Sequence, residues 1–277
     1  MIEELAISNL SDYASFLPGP HLAMVTASIL AGNTVGQLWA VHQEAEEPVL
    51  LLWDQGNKVF YLAGARSSAA ATAALRALLV TTIRPAALAA GVAYFKVHPL
   101  SATGIDLLPA LFPWSTLRSV ESLFYGFTQP QPNPLVAPTL PDLHFVPIDQ
   151  NLLLTETLEN VSLIRDEVHW MWPSLDHFYA HGFGMAAVIP GRVLCWCTAE
   201  YVSPTLCGIG ITTDEAYQGR GLASATTAHF IQICQQRGIT PYWECGRWNG
   251  PSMRVAEKVG FTQLTTEQFW VGAMGDA

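Results

Sequence analysis

A proline-rich segment near the middle of the chain limits how this sequence can fold. Residues 129–142 read QPQPNPLVAPTLPD and include five prolines. Proline has a fixed φ angle and no backbone N–H, so this segment is disfavoured in helices and central strands and favours an extended linker. The sequence therefore predicts an N-terminal domain at residues 1–128, a linker at 129–142 and a C-terminal domain at 143–277.

Strand-like and helix-like segments occur on both sides of this linker. On the N-terminal side, the hydrophobic pattern predicts strands at 36–42, 49–53, 59–62, 92–99 and 122–127, and helices at 67–82, ended by Pro85, and at 105–112. On the C-terminal side, it predicts strands at 143–146, 184–189, 192–201, 206–212, 241–245 and 268–271, and helices between 150 and 180, at 222–236 and at 252–259. Each domain is therefore expected to be a mixed α/β (α+β) layer structure, and the similar order of elements suggests a degenerate duplication.

Composition argues against several classes of partner. The formal net charge is −10, and nucleic acid is not expected as a partner because phosphate binding needs a basic surface. The longest apolar stretch, residues 69–92, is interrupted by two arginines and a proline, so neither a transmembrane helix nor a membrane partner is expected.

The five cysteines are an odd number without regular spacing, and no basic segment opens the chain as in a secretory signal. Reduced thiols and a cytoplasmic location are expected.

The stretch from Gln218 to Ala223, QGRGLA, separates a predicted strand from a predicted helix. The first N–H groups of a helix have no intrahelical partner, and the helix dipole attracts anions to that end. Glycines permit positive φ and a close approach of ligand to backbone. The stretch is therefore suited to bind a phosphate or diphosphate. It lacks the Lys-Ser/Thr of a Walker loop and the third glycine of a dinucleotide fingerprint.

Two patterns in the C-terminal half resemble those of a known superfamily. Gln218-x-x-Gly221-x-Ala223 resembles the Q/R-x-x-G-x-G/A signature of the GCN5-related N-acetyltransferase (GNAT) superfamily. Residues 249–261, NGPSMRVAEKVGF, resemble the family's N-x-x-A/S-x-x-L-Y-x-K-x-G-F segment. Glu244 matches a carboxylate of the branch that acetylates protein amino termini. The resemblance covers residues 143–277 and implies a GNAT-like mixed sheet flanked by helices.

The resemblance also implies a binding site for acetyl-coenzyme A (acetyl-CoA) as the acyl donor, with no metal. The diphosphate would be held by Gln218, Gly219, Arg220, Gly221, Leu222 and Ala223, the pantetheine arm by the backbone of Ile211, Thr212 and Thr213, and the pantetheine and thiol end by Asn249 and Ser252. Arg220 would lie near the phosphates.

In this family an amine attacks the thioester directly, and a base that titrates near neutral pH assists by taking its proton. Glu244 is the first candidate for the base, because its aromatic neighbours suggest poor solvation, which raises a carboxyl pKa. The family's tyrosine, which acts as the general acid, falls at Ala256 in this chain. Either the thiolate leaves without direct protonation, or Ser252 or a water supplies the proton, or the protein is not a catalyst.

Two other groups of residues have compositions found in metal sites, but their spacing does not support one. Cys195 and Cys197 form a C-x-C pair without a second pair, and they are expected to be small core residues. Residues 166–184 contain three histidines without the HExxH spacing, and their aromatic residues fit either the core or an acceptor pocket. No metal cofactor is expected.

The sequence thus predicts an N-acetyltransferase that moves an acetyl or other acyl group from acyl-CoA to a primary amine of a small molecule, protein or peptide. The acidic C-terminal half suits a cationic acceptor. Two alternatives remain open. One is a non-catalytic acyl-CoA-binding sensor or interaction protein, which Ala256 favours, and the other is a nucleotide enzyme that uses the same loop. Both a monomer and a homodimer are compatible with the sequence.

Overall fold

The computed structural model describes residues 2–44, 47–64, 67–128 and 138–275. The strands are β1 Ile2–Leu5, β2 Gly36–Val41, β3 Val49–Asp54, β4 Val59–Ala63, β5 Tyr94–Pro99, β6 Arg118–Phe127, β7 His144–Pro147, β8 Gly184–Ile189, β9 Arg192–Glu200, β10 Leu206–Thr213, β11 Thr240–Gly246 and β12 Phe261–Ala273. The α-helices are α1 Pro20–Leu30, α2 Ala69–Leu78, α3 Arg84–Ala89, α4 Ala102–Leu111, α5 Gln150–Leu153, α6 Val161–Met171, α7 Leu175–His181, α8 Leu222–Arg237 and α9 Gly250–Lys258. Short 3-10 segments lie at Ile7–Phe16 and Glu215–Tyr217, and a π-helical turn lies at Leu79–Ile83.

The chain forms two compact units, and each takes residues from both halves of the sequence. The first contains the residues up to Leu30, Val35–Glu121 and the residues from Gln268 on, and the second contains Ala31–Thr34 and Ser122–Glu267. Strand pairing accounts for this exchange, because β6 pairs with β11 in the second unit and the end of β12 pairs with β5 in the first. Residues 129–137 of the predicted linker lie outside the described residues, so the domain boundary drawn there stays a prediction.

The second unit contains the mixed sheet that the sequence predicts for the C-terminal half. Its strand order is β7-β8-β9-β10-β11-β6, followed by β12. β10 and β11 run parallel, and α8 is the crossover helix that connects them, as a parallel pair requires. The pairs β7–β8, β8–β9, β9–β10 and β11–β6 are antiparallel.

Burial of small and apolar side chains explains why the centre of this unit forms as it does. β9 is buried along almost its whole length, which is typical of a strand covered on both faces. Cys195 and Cys197 on β9 are fully buried, which confirms that they are core residues. Cys234 on α8 packs against Cys207 on β10 with 3.8 Å between the two Sγ atoms. None of the five cysteines, all of which lie in the described ranges, forms a disulfide.

The first unit repeats the order of elements of the second. Its sheet has the strand order β1-β2-β3-β4-β5, followed by the end of β12. In the first unit, β2, β3 and β4 are antiparallel, β4 and β5 are parallel, and a helical crossover connects β4 to β5. In the second unit, β8, β9 and β10 are antiparallel in the same way, and α8 connects β10 to the parallel strand β11. The predicted mixed α/β fold class is confirmed, and the repeated order supports the suggested duplication.

The prediction that Pro85 ends the helix of the first unit is wrong, because the helical crossover continues past it. α2 continues through the π-helical turn Leu79–Ile83 into α3, which ends at Ala89. The Arg84 N–H donates to the Leu79 carbonyl five residues back, and Pro85 occupies the first turn of α3. A proline is tolerated there because the wider π-helical turn just before it relieves the clash of the proline ring with the preceding turn.

The same helical region, Ala69–Ala89, is the one described segment long and apolar enough to span a membrane, judged by length and by a mean hydropathy of 1.2 alone. Its buried positions recur every four residues, which makes one stripe along the helix. The stripe packs into the core of the first unit and consists of Ala71, Leu75, Leu79, Ile83 and Ala87.

Candidate functional site

The two parallel strands of the second unit separate part of the way along the sheet. β10 and β11 are paired from Leu206↔Thr240 to Gly208↔Tyr242. Beyond this point, β10 continues beside β9 and β11 continues beside β6. A gap therefore opens between β10 and β11 at the ends that lead into α8 and α9.

Alternate residues of β10 turn their backbone groups toward this gap. The Asp214 N–H, just after β10, donates to the Leu194 carbonyl on β9 at 2.9 Å. Because backbone groups alternate in direction along a strand, Thr212 also faces β9, whereas Ile211 and Thr213 face the gap. Of the three residues predicted to contact a pantetheine arm through their backbone, Thr212 is therefore turned away.

The loop before α8 leaves the start of that helix open. Gly219 and Gly221 have φ angles of +73° and +81°, which glycine adopts without strain. No described side chain caps α8, and the Ala225 N–H to Gly221 carbonyl bond, at 3.1 Å, is its first backbone bond. The N–H groups of Leu222, Ala223 and Ser224, which lie between Gly221 and Ala225, thus lack intrahelical partners and are available to an anion.

A cavity of about 690 Å³ lies between this loop, β10 and α9. It collects most of the predicted donor-site residues: Ile211, Thr213, Gln218, Gly219, Gly221, Leu222, Ala223, Asn249 and Ser252. Arg220 lines a second cavity of about 580 Å³, together with Pro138, Thr139, Leu140 and Lys258. Thr212 and Glu244 do not line either cavity.

Basic side chains surround the open start of α8. Arg254 and Lys258 line the first cavity, and Arg220 and Lys258 line the second. The Arg220 guanidinium lies over the Tyr217 ring, 5.2 Å from its centroid. In a chain with a net charge of −10, this local excess of positive charge adds to the helix dipole and favours an anionic ligand.

Ser252 is held in a fixed orientation at the edge of the first cavity. Asn249 caps α9, and its Oδ1 accepts from the Ser252 N–H at 3.1 Å. The Trp243 indole Nε1 donates to Ser252 Oγ at 3.0 Å, which leaves the hydroxyl hydrogen of Ser252 to point elsewhere. Ala256, at the position of the family's tyrosine, is fully buried and does not line either cavity.

Glu244 lies on the opposite face of the sheet from the first cavity. Side chains alternate along a strand, and its neighbour Trp243 faces the cavity. Glu244 Oε1 accepts from Ser122 Oγ on β6 at 3.0 Å. Burial and then the nearby charge of Glu244 raise the pKa of the Glu267 carboxyl, so two carboxylates lie near each other at this point.

A half-buried glutamate that the sequence pattern did not indicate lies on the same face as Glu244. The Glu167 carboxylate, on α6, accepts from Trp196 Nε1 at 2.8 Å and from Thr198 Oγ1. Burial raises the pKa of Glu167, although these two hydrogen bonds act in the opposite direction. A Cβ built on Gly210 would lie 2.6 Å from Glu200 Oε1 and 2.9 Å from Glu167 Oε1, so a larger residue here would displace these carboxylates.

These residues define a carboxylate face, which consists of Glu167, Thr198, Glu200, Gly210 and Glu244. The gap between β10 and β11 thus has a basic cavity on one face and acidic groups on the other. The sequence indicates this face only in part. The alternation of Trp196, Thr198 and Glu200 along β9 places their side chains on one face, but nothing in the sequence shows that α6 brings Glu167 to them.

The corresponding parts of the first unit do not form such a site. β4 and β5 stay paired to Leu62↔Pro99, and the Leu100 N–H donates to the Leu62 carbonyl at 2.8 Å. Ser68 Oγ caps α2 by accepting from the Ala71 N–H at 3.1 Å. Over the described part of this unit, the strands do not separate and a side chain occupies the start of the helix.

The histidine-rich segment before β8 is built into the second unit. Trp172 and Phe178 are buried core residues, whereas Trp170 is 47% exposed. His177 Nε2 lies 2.8 Å from Asn33 Oδ1. Over the described ranges, no group of three or more His, Cys, Asp or Glu side chains is placed to hold a metal ion.

Comparison with known proteins points to one family. A family model described as GNAT acetyltransferase matches residues 129–268. An uncharacterized N-acetyltransferase of Bacillus subtilis strain 168, YdfB, is 31% identical over 118 residues. That match spans 43% of this chain and 44% of the relative.

Solved structures show the same fold over nearly the whole chain. A GCN5-related N-acetyltransferase-like protein from Streptococcus suis has a TM-score of 0.68 at 20% identity and covers 96% of this chain and 100% of its own. A tandem GNAT protein from the clavulanic acid biosynthesis pathway has a TM-score of 0.58 at 12% identity and covers 100% of this chain and 99% of its own. The second likeness agrees with two repeats of one fold. Because the family model covers half of the sequence, including the glycine loop and α9, this chain belongs to the GNAT acetyltransferase family.

Proposed function

We propose that this protein is an N-acyltransferase that moves an acetyl or other acyl group from acyl-CoA to a primary amine. The observation that carries the proposal is the open start of α8, where the N–H groups of Leu222 to Ser224 face the first cavity beside the gap between β10 and β11. A diphosphate accepts hydrogen bonds from such N–H groups and is stabilised by the helix dipole.

The chemistry of the cavity residues fits the rest of CoA. The backbone groups of Ile211 and Thr213 that face the gap can bond the amides of a pantetheine arm, as strands bond one another. The phosphates carry negative charge, which Arg220, Arg254 and Lys258 complement. Asn249 and Ser252 lie at the start of α9 and are proposed to contact the thiol end.

An amine acceptor is proposed to approach from the carboxylate face. A protonated amine is attracted by the carboxylates there, and one of them must remove its proton before the nitrogen attacks. Glu244 remains the first candidate for the base because it lies on β11 on this face of the gap, and its charge contributes to the raised pKa of Glu267 nearby. Glu167 is the second candidate because it is half-buried beside Gly210 on β10 and burial raises its pKa.

A thiolate leaves when the amine attacks the thioester carbon. Ser252 is proposed to donate its hydroxyl proton to that sulfur and to regain a proton from solvent. Trp243 already donates to the Ser252 oxygen, and the hydroxyl, which also bonds the Cys245 thiol, would turn toward the cavity for this step. Ala256 favours the alternative of a non-catalytic acyl-CoA binder, because the usual acid is missing there.

Thiol release from acetyl-CoA with a panel of small amines and amino-terminal peptides tests the proposal. We expect amine-dependent release, a loss of the rate in Glu244→Gln or Glu167→Gln, and a changed dependence of kcat on pH in whichever variant has lost the base. CoA binding without release by any amine would favour the binder. A cytoplasmic location and a monomer or homodimer are proposed on the sequence alone.

A further inference from the structure

A second set of residues, behind the glycine loop, ties the loop to β9. Asp214 lies between β10 and the 3-10 segment Glu215–Tyr217 that leads into the glycine loop, and its side chain is only 9% exposed. Asp214 Oδ2 accepts from Arg192 Nη2 at 2.7 Å, from Arg192 Nε at 2.9 Å and from Asn160 Nδ2 at 2.9 Å. Its Oδ1 accepts from the Ala216 N–H at 3.0 Å. One carboxylate thus joins β9, the start of α6 and the 3-10 segment that leads into the glycine loop.

The same network reaches the cavity through Tyr217. The Arg192 guanidinium lies 5.7 Å from the centroid of the Tyr217 ring, and Arg220 lies 5.2 Å from it. Tyr217 and Gln218 both line the first cavity. Asn160 is itself fixed, because its Nδ2 also donates to the Val193 carbonyl at 2.8 Å.

We propose that Asn160, Arg192 and Asp214 form a positioning network that holds the glycine loop in the conformation that binds the diphosphate of CoA. This inference rests on the proposed function. Two glycines at positive φ make the loop easy to deform, and a preorganised set of N–H groups binds an anion more tightly than one that must be ordered on binding. The two-point contact from Arg192 fixes direction as well as distance.

The charge of Asp214 makes the proposal easy to separate from simple electrostatics. A carboxylate close to a phosphate site repels the ligand, so its removal should strengthen CoA binding if charge alone mattered. If Asp214 positions the loop, its removal should instead weaken CoA binding. The two accounts therefore predict effects of opposite sign.

The test measures binding of CoA by titration calorimetry and binding of pantetheine, which lacks the phosphates, by NMR titration. In Asp214→Ala we expect CoA affinity to fall by roughly tenfold or more, as for loss of charge-assisted hydrogen bonds, with pantetheine affinity unchanged within about twofold. Arg192→Lys keeps the charge, loses the two-point contact and should show the same selective loss. Glu159→Gln is the matched control, since Glu159 pairs with Arg192 at 3.2 Å but is 66% exposed.

Each outcome has a definite meaning. If both Asp214→Ala and Arg192→Lys bind CoA as tightly as the wild type or more tightly, the network does not position the loop. Equal losses for CoA and pantetheine would indicate a general structural role and overturn the inference. If Asp214→Ala does not fold, as judged by thermal unfolding, Arg192→Lys decides the question. Failure of the wild-type protein to bind CoA would refute the proposed function itself.

Discussion

Replacing Ala223 with glutamate is expected to stabilise the protein while it prevents CoA binding. Ala223 lies in the first turn of α8, lines the first cavity and is half-buried, so a longer side chain can extend into that cavity. A carboxylate in the first turn interacts favourably with the helix dipole by about 0.3–1 kcal/mol. The expected rise in Tm is about 1–3 °C.

The same carboxylate would stand where the diphosphate is proposed to bind. Two unit charges about 5 Å apart, at an effective dielectric constant of about 20, repel by about 3 kcal/mol. This corresponds to a Kd for CoA raised by about a hundredfold or more. The repulsion is between partly exposed charges, so salt should reduce the loss of affinity.

Ala223→Gln is the matched control, because it has the same length without the charge. Titration calorimetry with CoA at low and high salt gives Kd for the wild type and both variants, and thermal unfolding gives Tm. We expect the Gln variant to bind CoA within about tenfold of the wild type. If the Glu and Gln variants bind CoA equally well, the diphosphate does not lie at the start of α8 and the reasoning is wrong.

Three further predictions concern the carboxylate face and the first unit. Gly210→Ala would place a Cβ 2.6 Å from Glu200 Oε1; because this carboxylate end can move aside, the substitution should lower the free energy of unfolding by about 1 kcal/mol in urea titrations, the low end of the cost of overpacking, and a stabilised variant would contradict the packing. Because burial raises the pKa of Glu167 above 4.5 in the folded state, its stabilising contribution is present below that pH and is lost as the pH rises through the raised pKa. Glu167→Gln should therefore melt above the wild type at pH 7 but not at pH 4. Calorimetry should give one CoA per chain, and two sites would show that the first unit also binds.

The glycine loop was predictable because local chemistry determines it. Glycine at positive φ and a helix without a capping side chain can both be read from QGRGLA followed by an apolar helix. The mixed strand and helix pattern was also sufficient to predict the fold class. The backbone direction of Thr212 was not predicted correctly, because it depends on which neighbouring strand the residue pairs with.

The exchange of β6 and the end of β12 between the units could not be predicted from the sequence. A strand pattern shows that a segment will pair with another strand, but it does not show which strand. The backbone N–H and C=O groups of the segment are satisfied equally well by a partner in either unit. Glu167 was missed for a related reason. Its role depends on the packing of α6 against Trp196 and Thr198, which are distant in sequence. The continuation of helix past Pro85 depends on a π-helical turn that has no clear sequence signal.

The most direct test of this account is a crystal structure of the protein with CoA bound. We expect diphosphate oxygens within hydrogen-bonding distance of the N–H groups of Leu222 and Ala223, and the pantetheine arm in the gap between β10 and β11. CoA bound elsewhere on the protein, with the start of α8 unoccupied, would contradict the account.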